Sequence, residues 1–198
     1  MAVTFSTNTL SGRERTIWRG EAKMLPGGFK LLQEFAAGTL LQRGAPVFVD
    51  MSNLSGAIVK VGKVITGGTT SKPRVSKDNY FVVGDKVQKV GATSYVTISA
   101  IDSSNDGYDV LTLSSAISGL TAGDFITESN GSETAAPMYL PNAILGEDRE
   151  IYASDLPTLD VAWGALVIKD VAPELPSAWM ADGGLCLKHN HNIVYIRQ

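Results

Sequence analysis

Cys186, His189 and His191 are the residues of this chain whose types and spacing come closest to metal or nucleophile chemistry. A thiol and two imidazoles are zinc-ligand types, but C-x2-H-x-H is not a usual zinc spacing. The chain holds one cysteine and two histidines, so only a carboxylate such as Asp182 could complete four protein ligands. The reading is therefore that no metal or cofactor is bound. His189-Asn190-His191-Asn192 instead reads as a polar turn between Leu185–Leu187 and Ile193–Ile196. A Ser-His-Asp set would have to use one of these histidines, and no G-x-S-x-G elbow is present. Cys186 with His189 is conceivable as a nucleophile and base, but a cysteine between Leu185 and Leu187 reads better as a small core residue.

Other constellations fare no better. Glu147, Asp148 and Glu150 crowd around Arg149, whereas a glycosidase needs separated carboxylates across a sugar cleft. Gly67-Gly68 lacks the Gly-Lys-Ser/Thr of a phosphate cradle, and Gly183-Gly184 stands alone. Trp18, Trp163 and Trp179 sit in different segments and read as core or subunit-interface residues rather than a sugar-stacking platform. No catalytic residue is assigned, and the chain is not expected to be an enzyme.

Composition narrows the class. The chain has 198 residues, 44% of them hydrophobic, which is enough for one sizeable domain or two small ones. A net charge of −3 gives no electrostatic reason to expect nucleic acid as a partner. Lys60, Lys63, Lys72 and Lys77 read as solvated positions on β-like segments. A single cysteine excludes an internal disulfide and fits synthesis in a reducing cytoplasm. No signal-peptide pattern or membrane-spanning apolar run is seen, so a membrane is not expected as a partner.

The elements read as short strands. Residues 1–15 are polar, with Phe5 and Leu10 as apolar anchors, and are expected to form a flexible arm. Thr16–Met24 reads as a strand, Pro26-Gly27-Gly28 as a turn, and Phe29–Phe35 as a strand or one helical turn. Val47–Asp50 and the β-branched run Ala57–Ile65 read as strands. Thr66–Lys72 and Ser129–Ala135 read as paired linkers. Between them Tyr95–Ile101 alternates, with Val96, Ile98 and Ala100 on one face. Asn105-Asp106-Gly107 signals a tight hairpin, returning through Tyr108–Leu113 with Leu111 and Leu113 inward. Gly123-Asp124-Phe125-Ile126 echoes Gly84-Asp85-Lys86-Val87. Pro141 interrupts Pro137–Ile144. Leu159–Asp170 is the most apolar run, and Ser177–Met180 fits a helical turn.

The expected fold is mostly β, with few short helices. A small barrel- or sandwich-like β domain (16–66 plus 134–198) carries an inserted, barrel-like β domain (70–132).

The passage Ala37-Gly38-Thr39-Leu40-Leu41 to Gly44-Ala45-Pro46-Val47-Phe48-Val49-Asp50, followed by Ala57–Val64, resembles capsid decoration and head-fibre proteins of tailed bacteriophages, including those of gut Bacteroidetes phages and prophages. Pro141-Asn142-Ala143-Ile144-Leu145 and the Asp160–Ile168 strand with Gly164 resemble the part that follows. The likeness covers 30–66 and 137–198 best, and the central insertion departs from the compact lambda-type decoration protein. The resemblance implies a non-enzymatic virion protein, made in the bacterial cytoplasm and placed on the capsid surface. It implies a homotrimer with the major capsid protein as partner, an arm that orders on binding, and capsid contacts at Phe5, Leu10, Pro46 and Pro141. A carbohydrate- or host-surface-binding module is the alternative.

Overall fold

Gly38, Gly44, Gly84, Gly123 and Gly184 have left-handed backbone, and each stands two residues before a strand. The computed structural model describes residues 16–153 and 156–197. Its strands are β1 (Trp18–Leu31), β2 (Leu40–Leu41), β3 (Pro46–Asp50), β4 (Ser55–Ile58), β5 (Val61–Ile65), β6 (Arg74–Val75), β7 (Lys86–Lys89) and β8 (Val96–Asp102). They continue as β9 (Asp109–Leu113), β10 (Phe125–Glu128), β11 (Ala143–Leu145), β12 (Arg149–Glu150), β13 (Thr158–Ile168), β14 (Met180–Ala181), β15 (Cys186–Leu187) and β16 (Asn190–Ile196). The helical turn expected at Ser177–Met180 is a 3₁₀ turn at Ser177–Trp179. The protein is mostly β, as its turn-rich, β-branched sequence predicts.

Two sheet systems divide these strands. The larger sheet runs β1-β4-β3-β11-β13-β16-β15-β14, and a further pairing of β1 with β13 closes its first five strands on themselves. Inside that ring lie Phe29, Leu31, Leu41, Val47, Ile58, Leu145 and Leu159. The second system is a closed barrel, β10-β5-β6-β9-β8-β7, filled by Val75, Val87, Ile98, Leu111 and Ile126. Closure leaves neither ring with a bare edge.

Several sequence expectations change. Ala57–Ile65 is two strands rather than one: Ser55–Ile58 pairs with β3 in the larger sheet, while Val61–Ile65 pairs with β10 and β6 in the barrel. The barrel strands therefore span Val61–Glu128, and β5 moves out of the domain assigned to 16–66. Pro26-Gly27-Gly28 does not end a strand. It lies inside β1, where the register against β13 shifts between Leu25 and Phe29. A second register shift, between Ile98 and Ala100, turns Ala100 outward and brings Ile101 against the barrel core beside Ile98. The Asn105-Asp106-Gly107 hairpin joins β8 to β9 through a longer loop. There Asp102 and Asn105 accept the Ser104 and Gly107 N–H groups.

Neither expected linker is a free tether. Thr66–Lys72 folds back into the barrel: Thr69 N–H donates to the Lys72 carbonyl, and Leu113 N–H donates to the Ser71 carbonyl. Ser129–Ala135 is a turn around Asn130, whose Oδ1 accepts from the N–H groups of Ser132 and Ala136.

The Gly-Asp echo is structural. Gly84 and Gly123 have φ of 97° and 94°. In each turn the Asp carboxylate accepts the N–H three residues earlier, Val82 for Asp85 and Thr121 for Asp124, at 2.8 and 2.7 Å. Each Asp also holds a lysine, Lys60 or Lys89, at 2.8 Å. Both turns lead directly into barrel strands.

Candidate functional site

The outer rim of the larger sheet assembles the chain's metal-ligand residue types. β14 and β15 form a hairpin in which Ala181 pairs with Cys186 and Met180 with Leu187. Its loop carries Asp182, Gly183 and Gly184 with φ of 50°, 70° and 91°. Asp tolerates this left-handed backbone where a β-branched residue would not. The turn lays the Asp182 carboxylate beside Cys186, whose thiol donates to Oδ2 at 3.4 Å. β16 then runs back with an irregularity opposite the Cys186–Leu187 step. Buried Asn190 fixes the start of that strand by donating to the Asn142 and Trp163 carbonyls at 2.8 Å each. The result places the ligand atoms of Asp182, Cys186 and His191 within 4.8 Å of one another. Loss of solvent, followed by the Asp182 carboxylate, pushes the Cys186 thiol above its ordinary pKa.

Of the residues singled out in the sequence, Cys186 and His191 are brought together, His189 is left out of the cluster, and Asp182 joins it. The polar turn between β15 and β16 is shorter than expected and consists of Lys188 and His189.

A second feature lies at one end of the five-strand ring. The β3–β4 turn, Met51–Leu54, is held by Asp50, which accepts the Ser52 N–H at 2.9 Å and the Asn53 side-chain amide at 2.6 Å. These bonds hold the Asp50 carboxyl below the usual carboxylate range, with the Asn53 side chain the largest cause. Leu54 sits in left-handed backbone, φ 48°, with 60% of its surface exposed. Its carbonyl accepts from Lys30 N–H, and Leu31 N–H donates to the Pro157 carbonyl. These two bonds set Leu54 and Leu156 on opposite flanks of the Lys30–Leu31 step of β1, and Leu32, Met51, Leu54 and Leu156 are all exposed, Leu156 at 84%. A leucine in strained backbone turned to water has no packing role of its own.

Two of the expected contact residues, Pro46 and Pro141, fall elsewhere. Pro46 and Pro141 are both buried, so neither is presented to a partner. Pro46 opens β3 at the position paired with Ile144, and its carbonyl accepts from Val59 N–H. Proline at the first residue of a strand loses no ladder donor that matters, which explains its tolerance at the start of β3. Phe5 and Leu10, with the whole arm 1–15, lie outside the described residues.

Lys60 also departs from its sequence reading as a solvated lysine. Its side chain is 3% exposed, and its ammonium contacts Asp85 at 2.8 Å and Glu128 at 3.5 Å. Gln33, two residues beyond the end of β1, donates to Glu128 and to the Ile58 carbonyl, while its own carbonyl accepts from Ile58 N–H. Lys60 stands where the chain passes into the barrel and Glu128 where it leaves, so this buried triad ties both crossings together. Burial raises the Glu128 pKa, and Lys60 offsets part of that rise. Sequence offered one signal: Lys60 is the only charge within the apolar run Ala57–Gly62.

A cavity of about 280 Å³ lies between the two systems, lined by Ile17, Arg43, Lys63, Tyr80 and Glu174 among others. Its charges answer one another: Lys63 pairs with Glu174 at 2.8 Å and Gln42 donates to Asp78 at 2.9 Å. Arg43 lies over the Trp18 ring at 3.9 Å. Trp18 and Trp179 are buried and Trp163 packs on the ring core, so the tryptophans form no platform. Asp148 accepts the Arg43 N–H, and Glu150 accepts from the Tyr152 hydroxyl, which disperses the acidic cluster. Among the described residues no helix is long and apolar enough to cross a membrane.

No family model matches this chain. No curated protein matches it, and no solved structure matches it.

Proposed function

We propose that this chain is a structural virion protein that binds the outer surface of a phage capsid as a homotrimer, as head decoration or head fibre, without catalysis. The observation that carries the reading is the set of exposed apolar side chains flanking the C-terminal end of β1. Leu32, Met51, Leu54 and Leu156 stand exposed, and Asp50 hydrogen bonds hold the turn that carries Met51 and Leu54. Clustered exposed apolar side chains mark contact surfaces, whereas isolated ones do not. A rigid turn loses little conformational entropy on docking. The likeness of 30–66 and 137–198 to decoration proteins supplies the partner class, the major capsid protein.

The test is co-sedimentation with heads assembled from the major capsid protein encoded in the same phage or prophage genome. Wild type should pellet with heads. A variant carrying Leu54→Asp and Leu156→Asp should stay folded, because both side chains are exposed, and should remain in the supernatant. Equal pelleting of both proteins refutes the assignment of this surface. Wild type that ignores heads and binds defined sugars on a glycan array favours the carbohydrate-binding alternative.

A further inference from the structure

We propose that Asp182, Cys186 and His191 form a binding site for a divalent cation of the zinc class. The sequence reading counted Cys186, His189 and His191 as too few ligands at the wrong spacing, but the fold selects a different set. Sulfur, imidazole nitrogen and carboxylate oxygen are the donor types that zinc accepts together, and one thiolate with one carboxylate neutralises a doubly charged ion.

The distances suit that ion. Donors bonded to a tetrahedral zinc at its usual bond lengths lie about 3.3–3.8 Å apart. Cys186 Sγ and Asp182 Oδ2 already stand at 3.4 Å. All three ligand atoms lie within 4.8 Å of each other, so about an ångström of adjustment by the exposed His191 ring closes the set. The supporting frame is built independently of any ion. The left-handed turn at 182–184 aims Asp182, and buried Asn190 anchors the strand that carries His191. Ligands held by such outer contacts lose less entropy on binding.

Three protein ligands leave the fourth position to water or to a donor from another molecule. Binding converts the Cys186 thiol to thiolate and releases its proton to solvent, so uptake falls as pH falls. The ion would staple the short β14–β15 hairpin, which has two residues per strand, to β16 at the edge of the sheet.

The test uses tag-free full-length protein stripped with chelator and titrated with Co(II), then with Zn(II). One equivalent of Co(II) should produce the near-ultraviolet thiolate charge-transfer band and visible bands of a tetrahedral site. One equivalent of Zn(II) should displace it. Cys186→Ser should abolish the charge-transfer band. His191→Ala and Asp182→Asn change exposed side chains and should keep the fold while weakening affinity by about tenfold or more. His189→Ala should bind as wild type does. No charge-transfer band at stoichiometric Co(II) overturns the proposal. So does undiminished binding by His191→Ala, or loss of binding in His189→Ala alone.

Discussion

Replacing Lys60 by methionine should unseat the junction between the two β systems. The substitution keeps the length and apolar stem of the side chain and removes only the cation. Lys60 faces Asp85 at 2.8 Å and Glu128 at 3.5 Å, and its side chain is 3% exposed. At an effective dielectric of about 20 each contact is worth roughly 5 kcal/mol gross. Desolvation of each ion costs several kcal/mol in the opposite sense, so the intact triad contributes little net stability. Removing the cation alone leaves two buried carboxylates facing each other, a loss of about 3–5 kcal/mol. For a chain of this size that lowers Tm by roughly 6–20 °C.

The pH dependence follows from Glu128. Its folded pKa is raised by burial, against an offset from Lys60. A raised carboxyl pKa means that the folded state binds the proton more tightly. That contribution favours folding below the usual carboxylate range and is lost as pH rises through the raised value. Without Lys60 the rise is larger, so the deficit of Lys60→Met should shrink as pH falls through the raised Glu128 pKa. Adding Glu128→Gln to Lys60→Met should recover about 1–3 kcal/mol, the usual coupling of contacting groups. Urea unfolding followed by tryptophan fluorescence is the assay, since Trp179 packs against Val59 and Val61 on either side of Lys60. A cost below about 1 kcal/mol with no pH dependence would show that the triad does not hold the junction.

Gly68→Ala should destabilise by about 1–3 kcal/mol, since its Cβ would stand 2.6 Å from Arg74 N and 2.8 Å from the Lys72 carbonyl oxygen. Gly107→Ala meets only Asn105 Oδ1 at 3.4 Å and should be near neutral in the same thermal melt. A fragment spanning 59–130 contains every barrel strand and should give dispersed amide signals. A fragment spanning 70–132 lacks β5 and should not, and equal dispersion from both would refute the strand pairing. Deleting residues 1–12 should leave oligomer mass and Tm within error and weaken head binding, if Phe5 and Leu10 contact the shell as the resemblance implies. Unaltered binding would place the whole contact on the folded part.

What was legible in the sequence was local. Gly-Asp turns, alternating strands and the inward Leu111 and Leu113 follow from backbone freedom and side-chain period, which a sequence displays directly. What was not legible was where strands change partner. Ala57–Ile65 carries no turn residue at Val59-Lys60, yet the chain passes there from one sheet system to the other. Pro26-Gly27-Gly28 carries turn residues where a strand only bulges. Pro46 and Pro141 look like loop-surface prolines, but tertiary packing buries both. The Asp182, Cys186 and His191 set was hidden for the same reason: a left-handed loop and an irregular strand pairing bring the residues together, and spacing alone did not show it.

The most direct measurement is an electron cryomicroscopy reconstruction of heads incubated with saturating protein. Added density is expected on the outer shell with threefold symmetry, oriented so that the surface carrying Leu54 and Leu156 meets the major capsid protein. Bare heads at saturation, or density joined to the shell through the barrel of β5 to β10, would contradict it.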